Sequence, residues 1–220
     1  TTRLRRDSDD STLVETSVGC IKARRTVLAA GLGNEALLAD LDCAKPATQR
    51  RPLHQVLVRH EHHHELYGHC MGRNPSPRLT VSTHLTSDGG CVWYLGGDLA
   101  TNHCELEPAA LIAIAEQELE ELFPWLDFGH QHWATLKIDR AEPRQPRLLK
   151  PDRAFAAPVS GHPDVIACWP TKLALAPNLA TAVLDLLKAD GVAPGAGDDL
   201  STLAALGTPA VATPCWETLF

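Results

Sequence analysis

Apolar positions change period several times along the chain, and each change predicts a different element. Val18–Ile21 and Thr26–Ala30 are short β-prone runs on either side of a basic turn, Lys22–Arg25. The second run, Thr26-Val27-Leu28-Ala29-Ala30, has the continuous apolar character of a strand buried on both faces. It ends in Gly31-Leu32-Gly33-Asn34, where Asn34 is placed to cap a short helix, 35–41, with Leu37, Leu38 and Leu41 on one face. Pro46 and Pro52 bracket an expected linker. Beyond it the period becomes two: His54–Arg59 sets Val56 and Val58 against Leu57, and 78–86 alternates Leu79, Val81, Thr83 and Leu85 with Thr80, Ser82, His84 and Thr86. Asp88-Gly89 followed by Cys91–Leu95 predicts a hairpin. The period then becomes helical from Pro108 to Leu122, with proline in the first turn and Leu111, Ile112, Ala115, Leu119 and Leu122 in one stripe. Its acids Glu116, Glu118, Glu120 and Glu121 are expected on the solvated face. Trp133–Ile138 and Ala154–Val159 are further strands. Asp164–Cys168 forms another, followed by a Pro-bounded loop and a helix over 179–187 closed by Gly191.

The order of these elements predicts an α/β piece, an inserted and mostly antiparallel sheet with one long helix, and a return to strand, loop and helix. The expected division is 1–44, 45–150 and 151–191. A Gly-, Pro- and Ala-rich tail, 192–220, is expected to be poorly ordered or to pack as an arm through Trp216 and Phe220. The late loop, Trp169-Pro170-Thr171-Lys172-Leu173, draws attention on physical grounds. A helix N-terminus carries unpaired N–H groups and partial positive charge, and Lys172 adds a full charge beside it.

Composition narrows the function. The 220 residues carry a net charge of -7, and the early Arg3, Arg5 and Arg6 are followed at once by Asp7, Asp9 and Asp10, which argues against a nucleic-acid surface. Seven cysteines without C-x-x-C spacing fit a reducing, cytoplasmic setting better than a disulfide scaffold or zinc ribbon. No apolar run has membrane-spanning length. His60-Glu61-x-x-His64 has zincin spacing, but that chemistry needs a helix, and the run follows a β-like stretch. A zinc-dependent hydrolase is one alternative; a non-catalytic fragment or binding domain is another.

Three segments together resemble the FAD-dependent oxidoreductases of the D-amino-acid oxidase and glycerol-3-phosphate dehydrogenase type. They are Thr26–Asn34, Trp133–Pro143 followed by Lys150-Pro151-Asp152, and the late loop with its helix. The resemblance implies a partial Rossmann-like FAD-binding layer with an inserted substrate-domain sheet, and the C-terminal part of such an enzyme. It also implies a small anionic substrate oxidised by hydride transfer to FAD. On this basis Gly31, Gly33, Trp169, Pro170, Thr171, Lys172 and Leu173 are the expected cofactor-binding residues, with Lys172 stabilising charge on the reduced ring. Arg140 is the expected substrate anchor, with Arg59 second, and Tyr67, Tyr94 and His84 lining the pocket. Two departures stand out. The G-x-G-x-x-G fingerprint that seats a pyrophosphate is absent, and Cys168-Trp169 stands where many relatives have Gly and His.

Overall fold

The computed structural model describes all residues except 1, 10, 63, 147–150, 194, 196–200, 205 and 209. Helices and sheets are mixed, and the chain forms two compact units: residues 1–51 with 140–209, and residues 52–139 with 210–220. The boundaries therefore fall at 51 and 140 rather than at 44 and 151. The tail is divided between the units.

The first unit contains two small sheets. Strands β1 (Arg3–Arg6), β2 (Thr12–Thr16) and β3 (Gly19–Ala23) form an antiparallel meander. Arg3, Arg5 and Arg6 thus lie on a strand; of this sheet the sequence signalled only Val18–Ile21, because alternating arginines conceal the pleat. Several of these charges have partners: Arg5 meets Glu15, Lys22 meets Asp7 and Asp9, and Arg6 donates to the nearly buried Asp164 at 2.7 Å, with Thr12 Oγ1 on the same carboxylate at 2.6 Å.

The second sheet has the order β10 (Phe155–Val159), β11 (His162–Trp169), β4 (Thr26–Leu28). β4 runs parallel to β11, with Val27 opposite Ile166. It is an edge strand of this sheet, and Val27 is 39% exposed, so the expectation of burial on both faces is corrected. β3 and β4 also lie in different sheets instead of forming one hairpin. Helix α1 (Asn34–Ala39) follows a 3-10 turn, Gly31–Gly33. Leu28, Leu38, Leu41, Val165, Ala167 and Trp169 fill the core of this unit.

The second unit is built on the five-stranded sheet β6 (Gly68–Met71), β7 (Pro77–Leu85), β8 (Cys91–Gly96), β5 (Thr48–His60), β9 (His132–Pro143). The expected linker around Arg50 is in fact the first part of β5. Val56, Val58, Leu79, Val81, Trp93 and Leu95 on one sheet face pack with Leu111, Ala115 and Leu119 of α3 (Pro108–Leu122), below the short helix α2 (Asp98–Asn102). The i, i+4, i+8 spacing gives α3 one buried stripe, and Pro108 suits its first turn because its missing N–H has no helical acceptor. Two acids expected on the solvated face do more: Glu118 and Glu121 both pair with Arg78 of β7.

His54, 1% exposed on β5, stays neutral because burial and the nearby Lys137 push its pKa down. The unfolded chain therefore takes up the proton first. The contribution of His54 to stability is complete above the unfolded value of about 6.5 and is lost progressively as pH falls below it. Urea unfolding between pH 7.5 and 5 is expected to show falling stability, with a shallower slope in His54→Gln. Separately, Leu111→Ala is expected to cost about 2–5 kcal/mol in the same assay, from the cavity it leaves beneath the sheet.

Candidate functional site

In the first unit, two loops leave the carboxyl ends of the parallel neighbours β4 and β11. Such a crevice is where open α/β sheets receive ligands. Asn34 fixes the loops relative to each other. It was expected to cap α1 but is that helix's first residue, and its buried amide is used differently. Oδ1 accepts from Ala30 N–H at 2.8 Å, while Nδ2 donates to the carbonyls of Leu28 at 3.2 Å and Cys168 at 3.1 Å. Trp169 adds a second tie, its indole N–H donating to Gly31 O at 3.1 Å.

The predicted cofactor residues separate into two kinds. Trp169 is 1% exposed and belongs to the core, so it positions the loops and presents no ring surface to a ligand. Gly31 has φ +58 with open space where a Cβ would stand, which suits close backbone approach. Gly33 is exposed. Pro170 is also exposed, and Thr171 holds φ +60 with its hydroxyl donating to Arg153 O at 3.0 Å. Leu173 is 89% exposed. Lys172 precedes a 3-10 turn, Leu173–Leu175, and helix α4 (Ala176–Ala189) starts only after that turn. Lys172 thus projects from the loop, a turn ahead of the helix terminus where the sequence had set it. α4 rests on β10 and β11 through half-buried Leu179, Val183, Leu186 and Leu187. It ends as expected at Gly191, φ +73: Gly191 N–H bonds Lys188 O and Val192 N–H bonds Leu187 O, a Schellman closure. The expected Pro-Asp element begins at Lys150, which lies outside the described residues.

Arg140, also in the first unit, stands beside a saturated ion pair. Glu142 is 1% exposed, and its carboxylate accepts from Arg51 Nε at 2.7 Å and Nη2 at 2.9 Å, with Gln49 Nε2 at 3.3 Å. Arg140 Nη1 comes no nearer than 3.9 Å to that carboxylate. Desolvation and then repulsion from Arg51 push its pKa down, with Glu142 opposing them. Two guanidinium groups against one buried carboxylate leave a net positive charge, the electrostatic condition for receiving an anion.

In the second unit, register places three predicted pocket residues on one face. Leu57, Tyr94 and Ser82 stand opposite one another across β5, β8 and β7, and Arg59, Val92 and His84 form the next such row. Side chains directly opposite share a face, and this is the face turned away from α3. Burial pushes the Tyr94 phenol up to about 12, so it remains a hydrogen-bond donor, and pushes the His84 imidazole down, so it is neutral near pH 7. Arg59 is engaged by Asp88 at 2.7 Å. Tyr67 is off the sheet, 65% exposed, with its hydroxyl on Glu65 at 3.4 Å.

The histidine run does not form a zincin site. His60 ends β5 and His64 lies in the following loop, so the helix that would align both imidazoles is missing. The His60 and His62 rings stack at 3.6 Å instead, while His63 lies outside the described residues. Among the described residues no group of three or more His, Cys, Asp or Glu side chains could hold a metal ion. No described helix is long and apolar enough to cross a membrane.

Comparison with known proteins finds relatives of the chain as a whole. No family model matches the chain. A probable FAD-dependent oxidoreductase of Pseudomonas aeruginosa, PA4991, is 50% identical over 201 residues, 91% of this chain and 50% of that protein. The crystal structure of the FAD-dependent oxidoreductase PA4991 matches at TM-score 0.82 with 45% identity, covering 98% of this chain and 58% of the other. NikD, an unusual amino acid oxidase essential for nikkomycin biosynthesis, matches at TM-score 0.52 with 17% identity, over 92% of this chain and 53% of its own, a likeness of fold.

Two substitutions report on the geometry. Asn34→Ala is expected to lower unfolding free energy by about 2–4 kcal/mol, because it strands two buried carbonyls and an amide. Glu142→Gln is expected to cost about 3–5 kcal/mol, because it leaves the Arg51 charge without its partner. Chemical denaturation measures both. By sequence and fold, the chain is similar to part of an FAD-dependent oxidoreductase, and it spans about half the length of the relatives it matches.

Proposed function

We propose that this chain supplies the substrate-binding sheet and one wall of the flavin site in an enzyme that oxidises a small anionic substrate at a C–N or C–O bond. The substrate would be of the amino acid, 2-hydroxy acid or sugar/glycerol phosphate type. The observation that carries this reading is the tied pair of loops at the carboxyl ends of β4 and β11. Gly31 there has room for a ligand to approach the backbone, and Lys172 and Leu173 project from the facing loop. These residues fit one side of a flavin. No turn in the chain has the dinucleotide fingerprint, so the pyrophosphate would be held by residues outside it.

FAD, when bound, supplies the acceptor for the hydride. The substrate carbon loses its hydrogen with the bonding pair, and the neighbouring N–H or O–H loses a proton as the double bond forms. Lys172 would offset negative charge as it builds on the acceptor, and the spare charge beside Arg140 would hold the substrate anion. In the second unit, Tyr94 and neutral His84 would line a surface for an uncharged part of a substrate.

Purified protein carrying this chain is expected to show a visible flavin spectrum with FAD and to bleach anaerobically on reduction by an anionic amine or alcohol. Lys172→Met is expected to slow bleaching about 100-fold. Arg140→Gln should raise the KM for anionic substrates with a smaller effect on kcat. A protein that remains colourless with FAD and is unchanged by both substitutions would overturn the proposal.

A further inference from the structure

The C-terminal segment returns to the second unit and packs against a particular face of its sheet. The α3 side is closed by Leu111, Ala115 and Leu119, and the tail does not add to it. It lies on the opposite face instead. The Trp216 indole stacks on the His84 imidazole, with centroids 3.8 Å apart and planes 21° from parallel, and Tyr94 meets the same imidazole edge-on at 6.0 Å. Two further contacts hold the indole there. The Glu217 carboxylate accepts from Ser87 N–H at 2.8 Å and Ser87 Oγ at 2.9 Å, clasping the β7–β8 hairpin. Glu217 N–H to Pro214 O, at 3.0 Å, closes a 3-10 turn over Cys215–Glu217. An aromatic stack and a charge-assisted clasp thus fix residues 215–217 on the sheet.

We infer that Trp216 is a specificity-determining residue, the wall that limits how far a substrate side chain extends along the Tyr94–Ser82–His84 face. This rests on the reading that the face receives substrate. Trp216 is half-buried and lies outside the apolar core, so the indole borders open space instead of filling an interior. The surfaces it adjoins are an indole, a protonated phenol and an imidazole whose Nε2 is hydrogen-bonded with Ser82 Oγ at 3.0 Å. With burial keeping that imidazole neutral and Arg59 of the same row paired with Asp88, this end of the site offers no unpaired charge to a ligand. It therefore suits a short uncharged side chain.

The test uses the flavin-loaded protein, the variants Trp216→Ala, Trp216→Phe and Glu217→Gln, and two readouts. The first is kcat/KM for straight-chain 2-amino and 2-hydroxy acids of increasing length. The second is binding of the unreactive straight-chain carboxylates from propionate to octanoate, followed through the His84 and Tyr94 ring signals by NMR. Trp216→Ala is expected to extend the accepted length, with a gain of about tenfold per methylene for chains that the parent rejects, expressed in KM rather than kcat. Trp216→Phe should lie between the two. Glu217→Gln, which keeps the indole but weakens its clasp, should move the same way by less. In Trp216→Ala the His84 titration should also rise towards the ordinary histidine range as its cover is removed. An unchanged length profile in Trp216→Ala, with the His84 titration shifted, would overturn the inference and leave the proposed reaction standing. Carboxylates that bind neither parent nor variant would also overturn it. Length-dependent binding without flavin reduction by any substrate would support the wall and count against the reaction.

Discussion

The geometry at the ends of β4 and β11 depends on one side chain. The two strands are parallel, so their connections run elsewhere in the chain, and nothing local sets the spacing of their outgoing loops. Asn34 sets it. Its amide reaches the last carbonyl of β4 at Leu28, a β11 carbonyl at Cys168 and the Ala30 N–H that begins the turn. A buried amide that satisfies three backbone groups is also expensive to misplace, because each group would otherwise lose its partner away from water. Trp169 reinforces the tie from the other strand by donating to Gly31 O. The glycine loop and the Thr171–Leu173 loop are thus held from both sides.

The second unit divides its work by the period of the strand. Odd and even positions on β5, β7 and β8 face opposite ways, so one residue set builds a core with α3 while the other remains available for chemistry. Val56 and Val58 belong to the first set, Leu57 and Arg59 to the second. The second face is not uniformly polar. Leu57 and Val92 are fully buried beside Tyr94, Ser82 and His84, so polar groups stand among apolar neighbours. That setting is what shifts the phenol up and the imidazole down. Both groups are therefore uncharged near neutral pH. Neither offers a full charge to an anion.

Where periodicity was clean, the sequence was a sound guide. The alternation at 78–86, the Asp88-Gly89 hairpin, the α3 stripe and the Gly191 stop all correspond to elements of the structure, because local chemistry decides each of them. The resemblance to flavin enzymes was likewise legible from three short segments in order. Less legible were features whose partners are far along the chain. Arg6 reads as part of a solvated charge run until Asp164 is brought beside it. Asn34 reads as a helix cap until the Cys168 carbonyl comes within reach. The free edge of β4 could not be read either, since an apolar run looks the same whether one neighbour is present or two. Trp216 was marked as a packing residue, but its partner, His84, was not foreseeable from composition.

The arginine cluster shows why charge counting is more informative than pair counting. Counted pairwise, Arg140 has an acid two residues away, and the bland expectation is a surface ion pair. In the structure that acid is buried and already shares both carboxylate oxygens with Arg51, the bidentate geometry in which a guanidinium binds most strongly. Glu142 therefore has little left for Arg140, which stays at 3.9 Å. If the buried carboxylate served both cations equally, the cluster would be balanced by geometry and an incoming anion would have to displace a formed bond. Because Arg51 takes both oxygens, Arg140 keeps only a long ion pair of 3.9 Å to the same carboxylate, and the desolvation already imposed on that guanidinium makes a closer partner more favourable. Glu142 thus orders the cluster through Arg51 and holds Arg140 only loosely.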